Sequence, residues 1–128
     1  MTRLSPEQMV RDYFRGVDEE NLDLIFSTLA DDCVFSVETH GVSLTGHDAI
    51  RGMFERLWAH HQWVRHDQFH FVEGKSGDDI AVRFRVTNKL HDDQLVYKSN
   101  CNFFTISDSK FSSVRVYMAG ENTLERKA

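Results

Sequence analysis

This chain has no run of basic residues longer than two (Arg126-Lys127), and its net charge is −5 at pH 7. Both facts argue against nucleic acid as the main partner, though not against a small anion held by local arginines. No stretch nears the ~18 apolar residues of a membrane span, and Met1-Thr2-Arg3-Leu4-Ser5-Pro6 holds no apolar leader. No membrane partner is expected, and the expected location is the cytoplasm. Only two cysteines occur, Cys33 and Cys101, each in an apolar, strand-like run. They read as buried free thiols of a reducing compartment and not as a disulfide frame. No Cys-x-x-Cys is present, His60 and His61 are adjacent, and His66 and His70 lie on a strand, where they stand about 13 Å apart. No metal and no cofactor is expected. There is no internal repeat and no low-complexity segment.

What is present is a globular composition, 41% apolar and 27% charged over 128 residues, which predicts one domain, 1–128. Ten phenylalanines and two tryptophans predict an aromatic core or a lined cavity. The single proline, Pro6, follows Ser5 and precedes Gln8, a helix start with Ser5 as N-cap and Gln8 at the capping-box position. Met9, Val10, Tyr13, Phe14 and Val17 then share one helical face. Asn21 caps a short second helix that Asp31-Asp32 stops. Cys33 to Glu38 reads as a strand, followed by a loop. Gly46 opens a third helix with Ile50, Met53, Phe54, Leu57, Trp58 and His61 on one face. From Val64 the period becomes two. Strands are predicted at 64–72, 80–88, 95–106 and 110–118, joined by short turns, with a frayed tail at 119–128. The order is α-α-β-α-β-β-β-β. It predicts an α+β fold, a strongly curved antiparallel sheet wrapped round three helices, leaving a cone with an interior.

In this order, Tyr13, Asn21-Leu22-Asp23, Leu29-Ala30-Asp31-Asp32, Gly46 with Ala49-Ile50-Arg51, and the last two hairpin strands resemble the nuclear transport factor 2-like superfamily. The likeness is to its bacterial SnoaL-like and ketosteroid isomerase branch, a cystatin-like fold, and covers about residues 7 to 118. It implies a strand acid that moves a proton, and a tyrosine and a second donor that hold an oxyanion. The tyrosine falls on Tyr13. The second donor falls on Asn102, allowing one deletion in the Ser107-Asp108-Ser109 turn. The base position falls on Val37, which cannot move a proton, and Glu38 should face away from the cavity. A standard ketosteroid isomerase is therefore not expected.

Dehydratase-like members of the superfamily carry a histidine near the place of His66, the candidate proton carrier here. By alternation His66 shares a face with Gln68 and His70, opposite the more apolar set of Arg65, Asp67, Phe69 and Phe71. That puts it toward solvent, unless a strand irregularity between His66 and Phe69 turns it inward. The expected pocket wall is Phe14, Phe26, Phe35, Val37, Phe54, Trp58, His61, Phe104, Val116 and Met118, with Asn100 and Asn102 as its polar points. Two registers are open for the strands at 80–88 and 95–106. One sets Arg83 and Arg85 inside, across from Asn102 and Asn100. The favoured one sets Phe84 across from Asn102 and both arginines outside. Outward aromatics such as Phe103 and Tyr117 predict a homodimer through the sheet, as in most relatives. Three functions follow as expectations. The first is proton-transfer chemistry on a small hydrophobic carbonyl or hydroxyl compound, of isomerase, dehydratase or cyclase type. The second is non-catalytic binding of such a molecule. The third, well behind, is a partner-binding domain.

Overall fold

The computed structural model describes residues 4–120; of the predicted tail, 119–128, Ala119 is paired in the last strand and 121–128 lie outside the described residues. Helix α1 spans Pro6–Asp18, and Ser5 Oγ accepts from the Gln8 N–H at 3.1 Å. The Gln8 side chain does not close a capping box; its Nε2 donates to Asp12 Oδ1 at 2.9 Å. Met9, Val10, Tyr13, Phe14 and Val17 are buried, as the helical period predicts. Helix α2, Leu22–Thr28, is capped by Asn21. The two helices cross at Gly16, where a Cβ would sit 2.7 Å from Ile25 Cγ1. Only glycine allows that approach.

Strand β1 starts earlier than predicted and runs Leu29–Val37. Asp31-Asp32 does not stop a helix; it bulges from this strand. Between paired positions β1 advances from Leu29 to Val34 while β6 advances only from Phe111 to Ser113. The surplus lets both acids reach water. His47 Nε2 meets the carbonyls of Leu29 and Ala30 at 3.2 and 3.1 Å, so it is pinned and not simply solvated. The predicted loop after β1 is instead a 3-10 turn, Glu38–His40, then Gly41 at φ 67° and a short strand β2, Val42–Thr45, paired back onto β1. Helix α3 is His47–Ala59. Strands β3 (His61–Glu73), β4 (Asp79–Leu90), β5 (Leu95–Ser107) and β6 (Lys110–Ala119) follow.

The sheet order is β2-β1-β6-β5-β4-β3. The β1–β6 pair is parallel and the other neighbours are antiparallel, so the sheet is mixed where the sequence predicts an antiparallel one. It is curved and unclosed, with the helices against it: α1 meets β3 and β4, and α3 meets β1, β2 and β3. The α+β cone is the observed fold.

Two local features decide what faces the interior. The β4–β5 turn holds Leu90 and Gln94 together, with Leu90 N–H donating to Gln94 O at 2.9 Å and Asp93 at φ 70°. This three-residue turn, with its left-handed third residue, sets the register. Val82 pairs with Asn102 and Phe84 with Asn100. Phe84 therefore misses Asn102 by two residues relative to the favoured register, but the parity is kept. Val82, Phe84 and Val86 are buried, and Arg83 and Arg85 are exposed. The second feature is a break in β3. Its register with β4 shifts between Asp67 and His70, and Gln68 takes φ 57°. One extra residue there flips the alternation, so His66 and Phe69 come to the same face.

Candidate active site

A cavity of about 300 Å³ lies between the helices and the sheet. From α1 it takes Tyr13, Phe14 and Val17; from β1, Phe35 and Val37; from α3, Met53, Phe54 and Leu57. The sheet adds His66 from β3, Phe84 and Asn88 from β4, Asn100 and Asn102 from β5, and Val116 and Met118 from β6. Most are apolar, but α3 also contributes Arg56 and β5 the buried Lys98. Polar groups buried among the apolar ones are weakly screened by solvent.

The bulge in β3 brings His66 to this wall. Its side chain is 11% exposed and its ring stacks on Phe14 at 4.8 Å between centroids. Asp18, the last residue of α1, reaches across to it. Asp18 Oδ1 lies 2.6 Å from His66 Nδ1, and Asp18 Oδ2 accepts the His66 backbone N–H at 2.9 Å. Two bonds from one carboxylate fix both the strand and the ring. With Nδ1–H donating to Asp18, Nε2 is left as the nitrogen that can accept a proton. The arrangement can act as a general base or, once protonated, a general acid.

Tyr13 packs edge-on against Phe14, Phe54 and Phe104, at 5.0, 6.2 and 5.5 Å. Burial, and secondarily the neighbouring Cys33, pushes its hydroxyl above the ordinary phenol range. It therefore stays a neutral hydrogen-bond donor. Cys33 itself is pushed up to about 11, first by burial and then by Asp32. Asn102 is 2% exposed, and its Oδ1 has no hydrogen-bond partner among the described residues. A buried amide oxygen without a partner is costly. Val37 lines the cavity beside Val42, and Glu38 is exposed in the 3-10 turn. The strand that would carry an isomerase's base is thus wall only.

The SnoaL-like domain pattern matches residues 10–114. The chain belongs to the SnoaL-like domain family. No match of significance is found among curated proteins. Solved structures similar to it include a candidate polyketide cyclase from Xanthomonas campestris pv. campestris, at 16% identity and TM-score 0.81, covering 87% of each chain. A protein with a ketosteroid isomerase-like fold from Catenulispora acidiphila DSM 44928, in complex with trimethylamine, has 15% identity and TM-score 0.77, covering 89% of this chain and 86% of that one. The epoxide hydrolase/cyclase-like enzyme SalBIII has 22% identity and TM-score 0.77, covering 91% and 95%. At these identities the likeness shows the fold. Among the described residues, no helix of this SnoaL-like chain is long and apolar enough to cross a membrane.

Four predicted wall residues lie elsewhere, each for a local reason. Phe26 stacks on His47 at 4.4 Å under the Arg51 guanidinium, on the far side of α3's first turn. Trp58 turns to α1, where its indole N–H donates to Val17 O at 3.0 Å. His61 is buried at the start of β3 with its Nδ1 on the Leu57 carbonyl, behind the Leu57 side chain that faces the cavity. Phe104 packs on Phe111 at 4.6 Å, in the floor under Tyr13. The polar cavity residues Arg56, Asn88 and Lys98 were not foreseen, nor was Asp18, which holds His66. Asp18 sits four residues after Phe14, so it continues the buried stripe of α1. Asn88 continues the inward parity of Val82, Phe84 and Val86. Both signals are in the sequence as polar residues at core positions.

Proposed function

We propose that this SnoaL-like protein catalyses proton transfer on a small hydrophobic carbonyl or hydroxyl compound, as an isomerase, dehydratase or cyclase. The observation that carries the reading is that His66, oriented by Asp18, opens on the same cavity as Tyr13 and Asn102. The base is missing from β1 but a titratable group stands on β3. His66 Nε2 takes a proton from a carbon or hydroxyl next to the carbonyl. The Tyr13 hydroxyl and the Asn102 amide donate to the oxygen on which charge develops. The proton returns from His66 to a second position. The apolar wall strengthens these interactions by excluding water. The cyclase and isomerase-like descriptions of the structural neighbours fit this class and choose no substrate.

The same reading includes a homodimer through the outer sheet face. Phe103, 48% exposed, packs edge-on with Tyr117 at 5.7 Å on the side away from the helices. Two unpaired thiols, Cys33 and Cys101, fit a reducing cytoplasm.

The test is α-proton exchange of hydrophobic cyclic ketones such as 2-tetralone in D2O, followed by NMR. The wild-type protein should accelerate exchange, and Tyr13→Phe should lose about 10²–10³-fold of it, with much smaller loss of ligand affinity. Tight binding of ketones without any acceleration would instead make this a binding cone. That second reading is favoured by one observation, the valine at the isomerase base position.

A further inference from the structure

One end of the cavity is cationic. Arg56, on the last turn of α3, and Lys98, on β5, both line it. Among the described residues, no aspartate or glutamate lines the cavity. Asp18 stands behind His66, with both of its oxygens bonded there. Arg56 is exposed at the rim, whereas Lys98 is only 6% exposed. Register sets Lys98 near the proton carrier. His66 and Lys98 both pair with Val86, one on each side of it. The Lys98 charge also reaches His61, which sits behind Leu57, the neighbour of Arg56. The last carbonyls of α3 do not account for these cations. Ring nitrogens of His60, His61 and His91 already meet the carbonyls of Arg56, Leu57 and Ala59. Asn100 adds a neutral donor. Its Oδ1 accepts the Ala119 N–H at 3.4 Å, which leaves the NH2 end of the amide for the cavity that it lines.

We propose that the ligand is an anion, a hydrophobic keto acid whose carboxylate is held by Arg56, Lys98 and the Asn100 NH2 group. This deepens the proton-transfer reading and rests on it for the other end only, where the ketone oxygen accepts from Tyr13 and Asn102. Every group that meets a ligand oxygen is then a donor, and a carboxylate and a ketone offer only acceptors. Charge-assisted bonds to a carboxylate are stronger than neutral ones, and more so in a wall that solvent screens weakly. The net charge of −5 does not oppose this, because charges beyond about 10 Å are largely screened and the local pair of cations decides. Lys98 and Asn102 lie four residues apart on β5, roughly 13 Å of strand. Carboxylate and ketone therefore stand at opposite ends of a body of one or two rings. Anchoring the acid fixes which carbon beside the ketone meets His66.

The experiment is calorimetric titration of the wild type, Arg56→Met and Lys98→Met with 4-acetylbenzoate and 6-acetyl-2-naphthoate, each beside its methyl ester. In the wild type the acid should bind about tenfold or more tighter than the ester in at least one pair. That preference should shrink toward one in both variants. If no acid binds tighter than its ester in the wild type, or the preference survives in both variants, the carboxylate site is overturned. The wild-type comparison and the rim variant Arg56→Met suffice should Lys98→Met fail to fold. Exchange of the acetyl protons in D2O separates the two readings. An acid that out-binds its ester yet shows no accelerated exchange leaves the carboxylate site standing and ends the proton-transfer reading. Acid and ester that bind equally and exchange equally fast end the carboxylate site alone.

Discussion

Asp18→Asn is the most telling substitution, because it keeps shape and removes one function. Asp18 accepts two hydrogen bonds from His66, at 2.6 Å from the ring and 2.9 Å from the backbone. An asparagine has one acceptor oxygen. If that oxygen keeps the backbone N–H, the NH2 group faces Nδ1 and the ring must accept there. Its proton then moves to Nε2, and the nitrogen facing the cavity can no longer take one. In serine-hydrolase triads the equivalent change costs about 10⁴-fold. His66 is 11% and Asp18 24% exposed, so water can compensate in part, and a loss of about 10²–10³-fold is expected here. Stability should fall by about 1–3 kcal/mol, the scale of a lost hydrogen bond to a charged group. The tautomer can be read without any substrate, by multiple-bond ¹H–¹⁵N NMR of the free protein. Neutral His66 should be the Nδ1–H form in the wild type and the Nε2–H form in Asp18→Asn. A wild-type His66 in the Nε2–H form would refute the assignment, whatever the activity.

Three other outcomes follow from the structure. Burial, more than the charges of Lys98, His60 and His91, lowers the His61 pKa, while its bond to the Leu57 carbonyl opposes this. Folding therefore disfavours the protonated form. Stability is full above the unfolded pKa of about 6.5 and falls as pH drops below it, by at most about 1.4 kcal/mol per pH unit from this group. Urea melts of His61→Gln should show a flatter dependence between pH 7 and 5; an unchanged slope would remove His61 as the cause. Gly16→Ala sets a Cβ 2.7 Å from Ile25 Cγ1, and should cost about 1–3 kcal/mol by overpacking; a neutral melt would mean that α1 and α2 shift freely. Sedimentation equilibrium at micromolar concentration should give a dimer for the wild type and a monomer for Phe103→Asp. A wild-type monomer would end the sheet-dimer proposal.

The sequence by itself determined the order of the elements apart from β2 and the N-caps of α1 and α2, and it favoured the observed inward faces of β4 and β5 without deciding between two registers. These are local: a cap needs one side chain, and a face needs only an alternation that holds along a strand. The family resemblance pointed to Tyr13, Asn102 and Val37, and all three line the cavity. What the sequence could not place was whatever depended on a break. The Gln68 bulge, with φ 57° at a glutamine, has no glycine to mark it, and it turned His66 from the solvent side to the cavity. The Asp31-Asp32 bulge and the short β2 strand were hidden in the same way. Asp18 was visible as an acid on the buried stripe of α1. Its partner lies 48 residues away, and only the packing of α1 against β3 joined the two.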